Sequence, residues 1–277
     1  MVRNPTLPDF VNPPLTEVAL SVEFEPTKKF GPAEIGAYWG QILKAKFPRR
    51  EVHPPLASVR EHFERPPHAQ QLKVEILSEL PTPRFWFLNE PGTELIQVQG
   101  DRFVHNWRKQ KDADVYPRFE NVRQTFKEEL DRLGSFLETE CSASMTPVQC
   151  EVTYLNHIVY GPELRPGQVE EIISTWRKAY SDTFLKEPEH VHLGFKYVIM
   201  DPASRKPVGR LHVNVNPAFS TPGGAPILVI SLTARGNPVN GQDSEAVIKF
   251  FNIGREWIVR AFASVTTPKM HKIWGRK

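Results

Sequence analysis

Between Leu15 and Glu140 the chain runs through an alternating apolar strand, an amphipathic helix, further strands and a long closing helix, and the same order returns between Pro147 and Thr267. A recurring order constrains the fold because each half has to bury one apolar sheet face under its own helices. The pattern predicts an α+β protein of two pseudo-repeated β-α-βββ-α halves, with antiparallel sheets and the long helices packed on one face. The expected organisation is an extended arm over 1–14, a first half over 15–141, a second half over 147–267 and a basic tail over 268–277. The halves stand either apart or within one compact domain. At 277 residues, neither arrangement needs covalent staples.

Periodicity places the elements. In Glu17 to Phe24, Val18, Leu20, Val22 and Phe24 alternate with polar or small residues, which predicts a half-buried strand. Gly31 and Pro32 open a helix whose stripe is Ile35, Tyr38, Trp39, Ile42 and Leu43. Strands are expected at Lys73 to Leu80, Arg84 to Leu88, Glu94 to Gln99 and Arg102 to Arg108, the last two joined by a Gly100-Asp101 turn. A long helix follows on Tyr116, Phe119, Val122, Phe126, Leu130, Leu133, Phe136 and Leu137. The second half offers strands around Val148 to Tyr154, Val191 to Ile199, Val208 to Asn216 and Ile227 to Thr233. It also carries a helical stripe of Val169, Ile172, Ile173, Trp176, Tyr180 and Phe184, and a closing helix capped by Asp243 or Ser244.

Composition excludes several classes. Hydrophobic residues at 40% and charged residues at 24% are ordinary for a globular chain and unlike a disordered or collagenous one. No apolar run approaches the roughly 18 residues of a membrane helix, and Asn4, Pro5, Pro8 and Asp9 interrupt any leader, so a cytosolic protein without membrane contact is expected. Cys141 and Cys150 are too few for a disulfide scaffold and wrongly spaced for zinc, which reads as two small buried hydrophobes. A net charge of +3 points weakly to polyanions, although Lys269, Lys272, Arg276 and Lys277 form a basic end whose charges read as solvated, while Trp274 beyond the last helix predicts a tail docked onto the core.

The richest stretch chemically is Glu94 to Arg108. Gln97 and Gln99 share one strand face and Arg102, Val104 and Asn106 share the next, so amides and a guanidinium line up across the hairpin, with Arg108 at its end. Arg210, His212, Asn214 and Asn216 echo that row in the second half. The binding residues expected are therefore Gln97, Gln99, Arg102, Asn106, Arg108, Arg210, His212 and Asn214, with no catalytic residue assigned. Phe103, His105 and Trp107 take the opposite parity and read as core, while Glu128 and Glu129 read as solvated acids on a helix's outer face. His190 and His192 could approach His212, yet no carboxylate or cysteine in ligand spacing accompanies them, so no metal and no cofactor is expected. P-loop, dinucleotide, HExxH and nucleophile-elbow motifs are missing.

NPPLTEVALSVEFEP, ELIQVQGDRFVHNWRK, YPRFE, EVTYLNHI and TPKMHKIWGR span nearly the whole chain. Together they resemble a sporadically distributed bacterial protein family of about 250 to 280 residues, for which no activity or catalytic residue is established. Sporadic distribution implies an accessory or defence-type system. The reading that follows is a non-enzymatic cytosolic binding protein acting through a protein or other macromolecular partner. Two others stay open: a nucleic-acid-binding saddle with Arg102, Arg108, Arg210 and the tail on phosphates, and an enzyme whose groove holds Arg102, His105, Asn106, His212 and Asn214.

Overall fold

A computed structural model describes residues 7–63, 82–161, 164–177, 184, 188, 190–221 and 223–277. The strands are β1 (Leu15–Phe24), β2 (Arg49–His53), β3 (Arg84–Leu88), β4 (Glu94–Gln99), β5 (Arg102–Arg108), β6 (Pro147–Val159), β7 (Leu193–Met200), β8 (Pro207–Phe219) and β9 (Pro226–Gly236). They form one antiparallel sheet in the order β2-β3-β4-β5-β1-β6-β9-β8-β7. The pair β1–β6 sits at its centre, from Leu15 opposite Asn156 to Phe24 opposite Pro147. Instead of two sheets, the two sets of strands therefore share one continuous hydrogen-bonded layer.

Helices cover a single face. These are α1 (Pro32–Tyr38), which continues into a wider turn over Trp39–Leu43, then α2 (Phe119–Cys141), α3 (Ser244–Val265) and the short α4 (Pro268–Ile273). The Asp243 carboxylate accepts from the Ala246 amide and caps α3, one of the two expected caps. Val18, Leu20, Val22, Phe103, Val152, Val213, Leu232 and Ala234 point toward the helices and meet Phe126, Phe250, Phe251 and Ile258 in one core. Phe103 against Phe126 and Phe126 against Phe251, with centroids 5.6 and 4.9 Å apart, tie sheet, α2 and α3 together.

The structure departs from the periodic reading in two places, and one expected element lies outside the described residues. Strand β2 was not anticipated, because RREVH is polar, exposed and at the sheet edge, where no alternating burial marks it. The expected strand over Lys73 to Leu80 lies outside the described residues. The expected helix over Val169 to Phe184 is, among the described residues, a 3-10 turn at Val169–Glu171; its stripe residues Ile172 and Ile173 are still buried, and Tyr180 lies outside the description. The tail docks through Trp274, as expected, packing on Phe262 at 5.1 Å and on Phe10 at 6.1 Å, while Lys269, Lys272, Arg276 and Lys277 stay exposed and Lys277 bonds Asp9 at 2.8 Å. Burying so large an aromatic outweighs leaving it in water.

Candidate functional site: the open face of the sheet

Alternation puts the opposite parity of every central strand on the face without helices. Paired register brings Glu17, Ala19, Ser21 and Glu23 beside Arg108, Asn106, Val104 and Arg102 on one side. On the other side they meet Leu155, Thr153, Glu151 and Gln149. Beyond these, Arg235 faces Arg210 and Thr233 faces His212. All eight residues expected to bind thus share one face, and Gln97, Gln99, Arg102, Asn106 and Arg210 are buried on it.

They fall into two groups. A lateral chain of polar contacts runs Arg84 to Gln97 at 2.9 Å, Gln97 to Asn106 at 2.8 Å and Asn106 to Glu17 at 2.5 Å. Burial raises the Glu17 carboxyl above its ordinary value, and the Asn106 amide and the Arg108 charge offset part of that. Trp86 lies beside this chain, stacked on His53 at 3.9 Å with the guanidinium groups of Arg84 and Arg108 over its ring. Asn214 lies farther out, opposite Gly194 and Ser231.

The second group holds a piece of the chain itself. Residues 54–63 leave β2 through Pro54 and Pro55 and cross the open face outside any strand. The Leu56 amide donates to Gln99 Oε1 at 2.8 Å, and Gln99 Nε2 donates back to the Leu56 carbonyl at 3.1 Å. Gln149 repeats the arrangement, accepting from the Glu61 amide at 3.3 Å and donating to the Val59 carbonyl at 2.7 Å. Arg102 reaches the Ala57 carbonyl and Arg210 the His62 carbonyl, at 3.4 and 2.7 Å. Among the described residues no backbone-to-backbone hydrogen bond joins this segment to the sheet. Side chains of the sheet read its main chain instead.

Length explains why they must. From β4, which carries Gln99, to β8, which carries Arg210, the sheet is about 24 Å wide at the usual strand spacing. Leu56 to His62 spans at most about 20 Å when extended. The segment is therefore near its full reach, and long amide and guanidinium side chains close the remainder.

Three polar side chains of the segment meet charge on the face. Ser58 donates to Glu23 Oε1 at 2.5 Å, while Arg102 holds Glu23 Oε2 at 2.8 Å and Arg60 approaches Oε1 at 3.4 Å. Glu61 places Oε2 at 2.6 Å from Arg210 Nη1 and Oε1 at 2.6 Å from His212 Nε2, with Arg235 Nη1 at 3.9 Å. Its side chain is 7% exposed. Burial alone would raise the Glu61 carboxyl, but the hydrogen bonds and charges of His212 and Arg210 outweigh burial and hold it down at about 2. A carboxyl depressed from 4.5 contributes its full stabilisation above that value and loses it as the pH falls toward about 2. Glu61→Gln should accordingly flatten the acid arm of the stability curve by about 1–2 kcal/mol, solvent screening at the rim taking up the rest. Urea unfolding from pH 6 down to about 2 measures this; superimposable curves for the two proteins would refute it.

Sequence reasoning missed Glu23, Ser58, Glu61, Gln149, Glu151 and Arg235. Parity could have found those on strands, since Glu23, Gln149, Glu151 and Arg235 all take the polar phase of apolar-alternating strands. Nothing local marks Ser58 or Glu61. The enzyme groove does not assemble as expected, because His105 lies on the helix side, bonded to Glu129 at 2.7 Å, and away from Arg102, Asn106, His212 and Asn214. That contact also corrects Glu129, which faces inward. His212 is engaged by Glu61, while His190 lines a separate groove beside Pro217 and Phe219. Among the described residues no group of three or more His, Cys, Asp or Glu is placed to hold a metal. Both cysteines are free and buried, and burial pushes their thiols up, away from nucleophilic chemistry.

A pocket of about 100 Å³ opens on the helix side between the N-terminal arm, α2 and α3. Tyr116 and Tyr154 meet there hydroxyl to hydroxyl at 3.1 Å, and Arg255 and Asn156 line it. Burial raises both phenols, so they act as neutral donors and not as bases. Its volume falls short of the roughly 300–1,000 Å³ typical of ligand sites. No helix among the described residues is long and apolar enough to cross a membrane. Compared with protein-family models, curated proteins and solved structures, the chain matches none.

Proposed function

We propose that the open face of the sheet is a docking platform for an extended polypeptide segment of a protein partner, and that the protein acts by binding. The observation that carries this is the pair Gln99 and Gln149. Each amide offers an acceptor to a backbone N–H and a donor to a backbone carbonyl. That two-way match suits any peptide main chain whatever its side chains, because every non-proline peptide unit offers one donor and one acceptor. The platform is broad, since the contacts run from β4 to β8.

The strand order supports reading the halves as copies of one β-α-βββ-α plan. Outward from the central pair, β5, β4 and β3 follow β1 as β9, β8 and β7 follow β6, and α2 and α3 each close one set. On that reading the rows of Gln97, Gln99, Arg102 and Asn106 and of Arg210, His212 and Asn214 are counterparts facing one groove. The cytosolic setting and the accessory or defence-type role belong to the same proposal. The nucleic-acid reading keeps less free charge: Arg102 is neutralised by Glu23, Arg210 by Glu61 and Lys277 by Asp9.

The test frees the platform and offers it a peptide. In the full chain, Ser58→Ala with Glu61→Ala removes the two side chains that make the crossing segment's shortest contacts to the sheet, and the probe is a fluorescein-labelled decapeptide with the sequence of residues 54–63. Saturable binding is expected, weakened at least about tenfold by adding Gln99→Ala and Gln149→Ala, a loss of about 1.4 kcal/mol or more. Circular dichroism checks that each variant is folded. Absent binding, or binding indifferent to the two glutamines, would refute the reading, as would a steep salt-dependent affinity for single-stranded DNA in its place.

A further inference from the structure

The platform carries one site whose chemistry goes beyond main-chain recognition. Arg210 and Arg235 stand directly opposite each other on β8 and β9. Like charges in that position repel and destabilise a sheet unless anions intervene. One is supplied from within the sheet: Arg235 Nε bonds Glu151 Oε2 at 2.6 Å. The other comes from the crossing segment, as Glu61. Lifting that segment leaves two arginines and one glutamate, with His212 beside them, a pocket of net positive charge. The Phe63 ring, with its centroid 4.8 Å from the Arg210 guanidinium carbon, and the His62 carbonyl at 2.7 Å would leave with it.

We infer that Arg210, His212 and Arg235 form a carboxylate seat that selects an acidic residue in the partner's extended segment, and that residues 56–62 are the chain's own occupant of it, which a partner must displace. This rests on the platform reading. Fork-like Arg210 and the imidazole of His212 take the two carboxylate oxygens separately, the geometry that makes charge-assisted pairs strong and directional. A phosphate would satisfy the same charge, but the neighbouring Gln149 matches two peptide groups of the occupant, the Glu61 amide and the Val59 carbonyl. Glu23 adds a second preference, since it accepts from Ser58 and lies near Arg60. The partner's segment is therefore expected to carry a hydroxyl, then after one residue a basic side chain and an acidic one, in the order of Ser58, Arg60 and Glu61.

Self-occupancy sets a threshold. A tethered segment competes at an effective concentration near the millimolar range. The apparent affinity for any partner falls by the fraction of molecules in which the segment has lifted. Because no backbone ladder holds it, displacement costs side-chain contacts alone and leaves the sheet intact.

The experiment uses two peptides on two forms of the full chain. One peptide has the sequence of residues 54–63, and the other has glutamine in place of its glutamate. On the Ser58→Ala, Glu61→Ala chain the acidic peptide should bind at least about tenfold more tightly than its glutamine counterpart, and Arg210→Gln should erase the difference. The unaltered chain should bind the acidic peptide at least about tenfold more weakly than the freed one. Equal binding of the two peptides would overturn the seat while leaving the platform standing, and equal affinity of the two chains would overturn the self-occupancy. Failure of both peptides to bind would remove the platform and this inference together. If Arg210→Gln does not fold, the comparison of peptides decides, since it alters nothing in the chain.

Discussion

Gly236→Ala should be among the most damaging small substitutions in the protein. Gly236 in β9 faces Gly209 in β8, and the buried ring of Phe250 from α3 packs down onto the pair. A Cβ on Gly236 would overlap the Val208 carbonyl and lie 2.6 Å from Gly209 Cα; one on Gly209 would lie 2.6 Å from the Arg235 carbonyl and 2.9 Å from the Phe250 ring. Core overpacking typically costs about 1–3 kcal/mol. Here the blocking atoms are backbone in a paired strand, which cannot swing aside, so the cost should reach or exceed the top of that range. Gly134 in α2 provides the contrast, because an added Cβ meets only the end of the Met145 side chain, at 3.6 Å. Gly134→Ala should stabilise by about 0.5–1 kcal/mol through helix propensity. Equilibrium denaturant unfolding separates the two, and a Gly236→Ala protein within about 0.5 kcal/mol of the unaltered one would show that β8, β9 and α3 pack less closely than described.

Glu129→Ala should be comparably severe for an electrostatic reason. His105 Nδ1 and Glu129 Oε2 lie 2.7 Å apart between the sheet and α2, and the two residues are 1% and 4% exposed. Lys46 approaches the other carboxylate oxygen at 3.7 Å from a half-exposed position. Removing one member of a buried hydrogen-bonded pair leaves its partner desolvated and unmatched, at about 1–3 kcal/mol. Replacing both by apolar residues of similar size avoids that penalty, so His105→Leu with Glu129→Met should recover most of the loss. A double-mutant cycle reads the coupling directly. Single variants that cost less than about 1 kcal/mol, or a double variant that costs the sum of the singles, would contradict a coupled pair.

The same two residues show how far the sequence could be read. Phe103, His105 and Trp107 were legible as core because strand period places alternate residues on one face, and all three are buried. Glu129 was misread as solvated, since an acid in a helix reads as surface until a polar group on a facing strand is brought to it. Strands β3, β4 and β5 were legible to the residue, where alternation and a two-residue turn mark the ends. Among the described residues the second-half helix was overread: apolar spacing at Val169, Ile172 and Ile173 satisfies a helical stripe, yet burial there is met by a 3-10 turn at Val169–Glu171 and by Ile173, beyond it, bridging to Thr266.

The candidate site divides the same way. Alternation alone put Gln97, Gln99, Arg102, Asn106, Arg210, His212 and Asn214 on one face, because a period of two is a local property that each strand carries by itself. What those residues hold is not local. Glu61 meets Arg210 and His212 across separations of 149 and 151 residues, and Gln149 meets the Glu61 amide across 88. Those pairings depend on sheet order, on the width from β4 to β8 and on a segment long enough to cross it. The sequence by itself determined which faces are apolar and which are polar; only the tertiary structure decided that the polar face is already occupied, because that occupant is chosen by geometry between distant parts of the chain and leaves no periodic trace.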